Sequence, residues 1–319
     1  MAERPKVRPS SYGGSPHADW TRVDWSEHRR SVEVQGRRVN VVDWRPEDPD
    51  APTMVFLHGL SGCWQNWLEN LPAFARTHRV IAPDLPGFGE SEMPVEDITI
   101  SGYGRFVDAL LDVLEVREPI VLVGNSMGGF VGAEVAIRFP ARVDRLVLVS
   151  AAGLSIEHMR NDRLLAGLQR ADELLIAFGA WSAGHLGGLI RRPRGKALLL
   201  GLVAYRPDRL PAPLVAELVK GQGKRGFVPA LDALTSYPIR DRLGEIGCPT
   251  LVVWGDKDRL VPVKDAWLFG ELVSDSRVVV YEGVGHVAMV EVPEDFNALV
   301  GEFVREDAGE RVGASDARA

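Results

Sequence analysis

Short apolar runs alternate with stretches of helical periodicity along most of the chain. Thr53–Leu57, Arg79–Ala82, Pro119–Val123, Val143–Val149, Thr250–Trp254 and Val278–Tyr281 are rich in β-favouring residues and lack a polar alternation. Runs apolar on both faces predict strands of a parallel sheet covered on each side. A helical pattern begins at Ser101, with Phe106, Leu110, Leu111 and Leu114 on one face. Ser31–Val34 and Val39–Asp43, split by Gln35-Gly36-Arg37-Arg38, read as an antiparallel hairpin at the start of the sheet. The alternation breaks between about Leu154 and Arg242, a stretch that reads as helical and is punctuated by Pro193, Pro207, Pro211 and Pro213. The pattern predicts an α/β fold: a mostly parallel central sheet, helices on both faces, and a helical cap inserted between two strands. The expected layout is an N-terminal arm over 1–30, a core over 31–153 and 243–305, the cap over 154–242 and a disordered tail over 306–319.

Composition narrows the function classes. The chain has 319 residues, enough for one large α/β domain with a lid. A formal net charge of -7 gives no basic footprint for nucleic acid. The two cysteines, Cys63 and Cys248, are far apart and read as reduced thiols, which points to a cytoplasmic protein. The N-terminal segment lacks the apolar core of a secretory signal and reads as a loose arm. The longest uncharged stretch in the middle of the chain, Leu174–Ile190, is short for a membrane span and diluted by Gly, Ser and His185, so no transmembrane helix is expected. As part of the cap it would line an acyl pocket, rest weakly on a lipid surface, or simply be buried against the sheet domain. The basic residues after it, Arg191, Arg192, Arg194 and Lys196, read as a solvated face. No metal or haem spacing is present, and neither a metal nor an organic cofactor is expected.

The chemistry concentrates at Gly124-Asn125-Ser126-Met127-Gly128-Gly129, where a strand pattern passes directly into a helical one. A serine at the apex of such a turn adopts a strained backbone, and its neighbours must be small for the helix to start against the strand. Gly124 and Gly128 supply that room. The turn exposes the Ser126 hydroxyl at the carboxyl end of the sheet, where open α/β sheets bind ligands. A serine hydroxyl is a weak nucleophile and needs a base. His286, in Gly-Val-Gly-His after the strand ending at Tyr281, is the best placed of seven histidines. The loop after Trp254 offers Asp256 and Asp258 to orient it. Asp258 lies further beyond the strand end and is preferred; Asp256 is expected to satisfy turn backbone groups. His58 is expected to hold its loop in shape. The backbone amides of Met127 and Leu60 are the candidate oxyanion donors. Trp181, Leu186, Tyr205 and Phe227 are candidate pocket residues.

With these residues in place, the chain resembles α/β-hydrolase-fold serine hydrolases from about Val32 to Val304. The matching segments are FLHGLSG, APDLPGFGES, VGNSMGG, RLVLVSAAGL, CPTLVVWGDKDRLVP and GVGHVAMVEVPE. The resemblance implies Ser126 as nucleophile, Asp258 as acid and His286 as base. Haloalkane dehalogenases and epoxide hydrolases of this fold carry aspartate where Ser126 stands. VGNSMGG is similar to the segment of meta-cleavage-product C–C hydrolases, but those enzymes usually carry HGxGPG and a tryptophan after the histidine, where this chain has HGLSGC and Val287. Carboxylesterases and monoacylglycerol-lipase-like members match better. The expected function is serine-dependent hydrolysis of a small to medium hydrophobic ester; a C–C hydrolase and a hydrolase-fold small-molecule receptor are the alternatives.

Overall fold

A computed structural model describes residues 4–14, 18–155, 188 and 190–306. Eight strands form one sheet: β1 Arg29–Val34, β2 Arg37–Trp44, β3 Thr53–Leu57, β4 Arg79–Pro83, β5 Ile120–Asn125, β6 Val143–Val149, β7 Thr250–Gly255 and β8 Ser276–Tyr281. Their spatial order is β1-β2-β4-β3-β5-β6-β7-β8. β1 and β2 pair antiparallel with each other, as do β2 and β4; from β4 to β8 all pairs are parallel. The hairpin closes through Gln35 and Gly36, both at positive φ (51° and 73°), a two-residue turn whose twist suits the strands on either side.

The parallel strands carry no polar alternation because each side feeds a core of its own. Val55, Leu57, Leu122, Leu146 and Leu148 pack on one face with helices α1 Ile100–Val113 and α2 Met127–Arg138. Met54, Phe56, Val121, Val147 and Val149 pack on the other, with α3 Pro293–Arg305 behind them through Phe296, Val300 and Phe303. Alternate residues of one strand thus enter opposite cores. The described part of the insertion between β6 and β7 is helical, with Pro193–Leu200, Ala212–Leu218 and Phe227–Ser236. Its last third is knit into the body of the protein: Leu231, Leu234, Ile239, Leu243 and Ile246 join the first core. No described helix is long and apolar enough to cross a membrane.

The N-terminal arm differs from its sequence expectation. Its described residues from 4 to 14 are docked, not loose. Val7 bridges in parallel to Tyr281, donating to the Val280 carbonyl (2.8 Å) and accepting from the Glu282 amide (2.9 Å). Arg4 pairs with Glu271 (2.9 Å) and lies over the Trp267 ring. The physical reason is the sheet edge: β8 would otherwise present a row of unpaired backbone groups. The beginning of the fold also reaches back to Arg29, two residues before the expected hairpin.

Further along the N-terminal segment, Trp20 Nε1 donates to the half-buried Glu69 (3.0 Å). Burial pushes the Glu69 carboxyl up to about 7 from its ordinary 4.5, with Glu294 adding to the rise and the Trp20 bond opposing it. Between those two values the folded chain holds a proton that the unfolded chain has released. The Glu69 contribution to stability is therefore complete below about 4.5 and is lost as pH rises through about 7. Glu69→Gln, which keeps an acceptor for Trp20, is expected to flatten this part of the profile and to raise the melting temperature relative to the parent above pH 7. Thermal melts of both proteins across that range check the sign.

Candidate active site

Ser126 sits at φ 54°, ψ -117°, between the end of β5 and the first turn of α2. Such a conformation is costly for a non-glycine residue and persists only when its surroundings hold it. Here the Ser126 amide donates to the Val149 carbonyl (2.9 Å), and the Ser126 carbonyl accepts from Phe130 and Ala152 (both 3.1 Å). The glycines around it are demanded by backbone proximity. A Cβ at Gly124 would lie 2.3 Å from the Gly128 carbonyl oxygen, and one at Gly128 would lie 2.2 Å from that of Leu57. Strand and helix therefore meet with no space for a side chain between them.

His286 and Asp258 come together from the loops that follow β8 and β7. His286 Nδ1 lies 2.8 Å from Asp258 Oδ2, and the two side chains are only 4% and 0% exposed. Asp258 Oδ1 accepts from the amides of Leu260 (2.8 Å) and Val261 (2.9 Å). Both carboxylate oxygens are thus engaged, and a carboxylate, which only accepts, suits the tautomer with the proton on Nδ1. This leaves His286 Nε2 as the basic nitrogen. Ser126 and His286 line one cavity of about 320 Å³. No hydrogen bond joins their side chains among the described residues; the shared wall brings them together.

The loop after β3 forms another side of that cavity, from Gly59 to Gly62. It passes so close to the elbow that a Cβ on Gly59 would stand 3.0 Å from Ser126 Cβ. Neither the Leu60 amide nor the Met127 amide donates to a protein group among the described residues. His58 is fully buried and structural in its contacts: Nε2 accepts the Leu85 amide (2.9 Å) and Nδ1 lies 2.8 Å from the Gly59 carbonyl. Burial lowers its pKa and keeps the ring neutral. Asp256 binds the Gly283 amide (2.7 Å) and pairs with Lys6 and Lys257, away from His286.

Of the expected pocket residues, Phe227 lies on the cavity wall. Tyr205 does not. Its neighbours Val203 and Ala204 reach the wall, while the Tyr205 amide is held by Glu291 (2.8 Å). Trp181 and Leu186 fall outside the described residues, as does most of the apolar stretch that contains them. Arg191, Arg192 and Arg194 are exposed, but Lys196 is turned inward to the carbonyls of Asp208 and Leu210. Both cysteines are free thiols; burial pushes Cys63 up to about 12 and Cys248 up to about 11.

Two groups escaped sequence reasoning. Asn125, the residue before the serine, donates through Nδ2 to the carbonyls of Val149 and His286 (both 3.1 Å) and so ties the elbow to the histidine loop. Glu291, five positions after His286, is fully buried and receives backbone amides on both sides of that histidine. A polar residue inside the motif and an acid within an apolar run were the available signals.

A sheet of this order with a serine elbow at its carboxyl edge defines the α/β-hydrolase class. Residues 52–293 match the family model described as the alpha/beta hydrolase fold, and the chain belongs to that family. It is 30% identical over 275 residues to 2-hydroxy-6-oxo-6-phenylhexa-2,4-dienoate hydrolase of Comamonas testosteroni, covering 82% of this chain and 90% of the relative. It is 24% identical over 290 residues to monoacylglycerol lipase ABHD6 of Rattus norvegicus, covering 86% and 84%. Among solved structures it is similar to a membrane phospholipase A, a novel bacterial virulence factor, with a TM-score of 0.67 and 29% identity over 86% of this chain and 85% of that one.

Proposed function

We propose that the protein is a serine-dependent hydrolase of hydrophobic carboxylic esters. The observation that carries this reading is the strained Ser126 sharing a cavity with a histidine whose Nδ1 is bound to a buried carboxylate at 2.8 Å. Ser126 Oγ attacks the ester carbonyl carbon while His286 Nε2 takes its proton. Asp258 stabilises the imidazolium that forms. The negative oxygen of the tetrahedral intermediate takes the two free amides of Leu60 and Met127, aided by the N-terminus of α2. His286 returns the proton to the departing alkoxide, leaving an acyl group on Ser126. Water then attacks the acyl carbon, gives a proton to His286, and releases the acid with Ser126 restored.

The cavity's chemistry favours a neutral acyl substrate. Leu198, Leu202, Leu210, Leu218, Leu231 and Val287 contribute to its wall, and His286 is the only ionisable side chain there among the described residues. The dienoate named for the Comamonas testosteroni relative carries a carboxylate, and burying that charge without a cationic partner is expensive. Turnover of a panel of p-nitrophenyl esters, together with fluorophosphonate labelling, tests the proposal. Hydrolysis that increases with acyl hydrophobicity and a label mapped to Ser126 are expected. Turnover of a dienone acid with negligible ester hydrolysis would establish the C–C hydrolase instead. Ligand-induced stabilisation with no turnover of either would establish a receptor.

A further inference from the structure

The docked arm does more than cover a sheet edge. It ends on the far side of the His286 loop, where Tyr12 donates its hydroxyl to Glu291 Oε2. The same carboxylate oxygen accepts the Tyr205 amide at 2.8 Å. Oε1 accepts the amides of Gly285 (2.9 Å) and Val287 (3.4 Å), the residues on either side of His286. The circuit closes through the cap. The Tyr12 oxygen accepts the Arg206 amide (2.7 Å), and the His286 amide donates to the Val203 carbonyl (2.8 Å). Gly13 adds a bond from its amide to the Glu291 carbonyl (2.6 Å). Three segments remote in sequence thus converge on one carboxylate: the arm, the histidine loop and the cap loop at 203–206.

Packing alone does not call for this arrangement. A fully buried carboxylate is costly, and burial raises the pKa of Glu291. Ionised, it accepts only, and the four donors around it suit that state. Burial and the neighbouring Glu291 also push the Tyr12 phenol far up, so the shared proton stays on the tyrosine. Gly285 is confined by the same junction: a Cβ there would lie 2.7 Å from the Tyr205 nitrogen and 2.9 Å from Glu291 Oε1. The peptide groups flanking His286 are thus held by Glu291 on both sides.

We propose that Tyr12 and Glu291 are positioning residues for His286, and that the N-terminal arm is a strap that sets the imidazole toward the Ser126 cavity. The inference rests on the reading of His286 as the general base. In the full-length chain, Tyr12→Phe keeps the ring and deletes both hydroxyl bonds. Its kcat per folded molecule is expected to fall about tenfold, since small displacements of a catalytic group carry penalties of this order. Glu291→Gln, whose amide nitrogen must face a backbone N–H, is expected to fall further, by about 10²-fold. Arg4→Ala removes an exposed ion pair remote from the Tyr12–Glu291 junction, with Val7 still bridged to the edge strand, and should leave kcat unchanged. The low-field NMR signal of the His286 Nδ1 proton should shift or broaden in Tyr12→Phe and remain in place in Arg4→Ala. Wild-type kcat and an unmoved His286 signal in Tyr12→Phe, with only a lower melting temperature, would overturn the proposal. If Glu291→Gln does not fold, Tyr12→Phe alone decides. A wild-type chain with neither ester turnover nor fluorophosphonate labelling would refute the esterase reading, and the His286 signal would then decide the strap independently.

Discussion

Ser126→Ala is expected to lower ester hydrolysis by about 10⁵- to 10⁶-fold in kcat, because nucleophile and base act as a unit and loss of either removes the acyl-enzyme route. The residual rate would come from the cavity and the oxyanion donors, which still bind and polarise a carbonyl for attack by water. The fold should tolerate the change. Alanine keeps the β-carbon, and among the described residues no hydrogen bond of the Ser126 hydroxyl would be lost with it. The backbone bonds that hold the residue at φ 54° come from its amide and carbonyl, which alanine retains. Steady-state kinetics with p-nitrophenyl butyrate, a fluorophosphonate labelling gel and a thermal melt, run side by side, check all three statements. A folded variant with activity close to the parent would refute Ser126 as the nucleophile. Normal labelling of that variant would place the reactive group elsewhere.

The parts of this molecule legible in the sequence are those in which local chemistry and tertiary demand agree. β3, β6 and β7 stand where apolar runs predict them, because a strand buried on both faces leaves a signature that needs no partner to be read. The elbow is legible for a similar reason: the Gly-x-Ser-x-Gly spacing is demanded by a backbone approach within the motif itself. Asp258 and His286 are legible as loop residues after strands, though only the sheet order puts β7 beside β8 and brings their side chains to 2.8 Å. The arm was misread because its Pro, Gly and charged residues look unstructured until an edge strand is available to receive Val7. Tyr205 was misread because aromatic character says nothing about which way a cap segment turns. Glu291 was missed because its partners lie as far away as Tyr12, and an acid within an apolar run does not by itself say that it gathers backbone amides from the cap and the histidine loop and a hydroxyl from the arm.

The choice between the two carboxylates after β7 makes the second large prediction. Asp258→Asn is expected to lower kcat by about 10⁴-fold, through the tautomer of His286 and not through loss of charge alone. The orientation of the new amide is dictated locally. Oδ1 of Asp258 accepts two backbone amides, from Leu260 and Val261, so the asparagine oxygen must occupy that side. Its nitrogen then faces His286 Nδ1, where the carboxylate oxygen stood at 2.8 Å. An amide nitrogen there donates, Nδ1 must accept, and the imidazole proton is driven to Nε2, which can no longer take the serine proton. The opposite rotamer would set two donors against two backbone donors and lose both loop bonds. Binding should change little, because Asp258 is not part of the cavity wall, so the loss should fall on kcat more than on KM. Asp256→Asn provides the contrast. Its partners are the Gly283 amide, Lys6 and Lys257, and its substitution should disturb that turn while leaving the tautomer of His286 alone. Kinetics of the two variants under identical conditions decide the matter. If the Asp256 variant loses the activity and the Asp258 variant keeps it, the carboxylate that orients His286 has been assigned to the wrong residue.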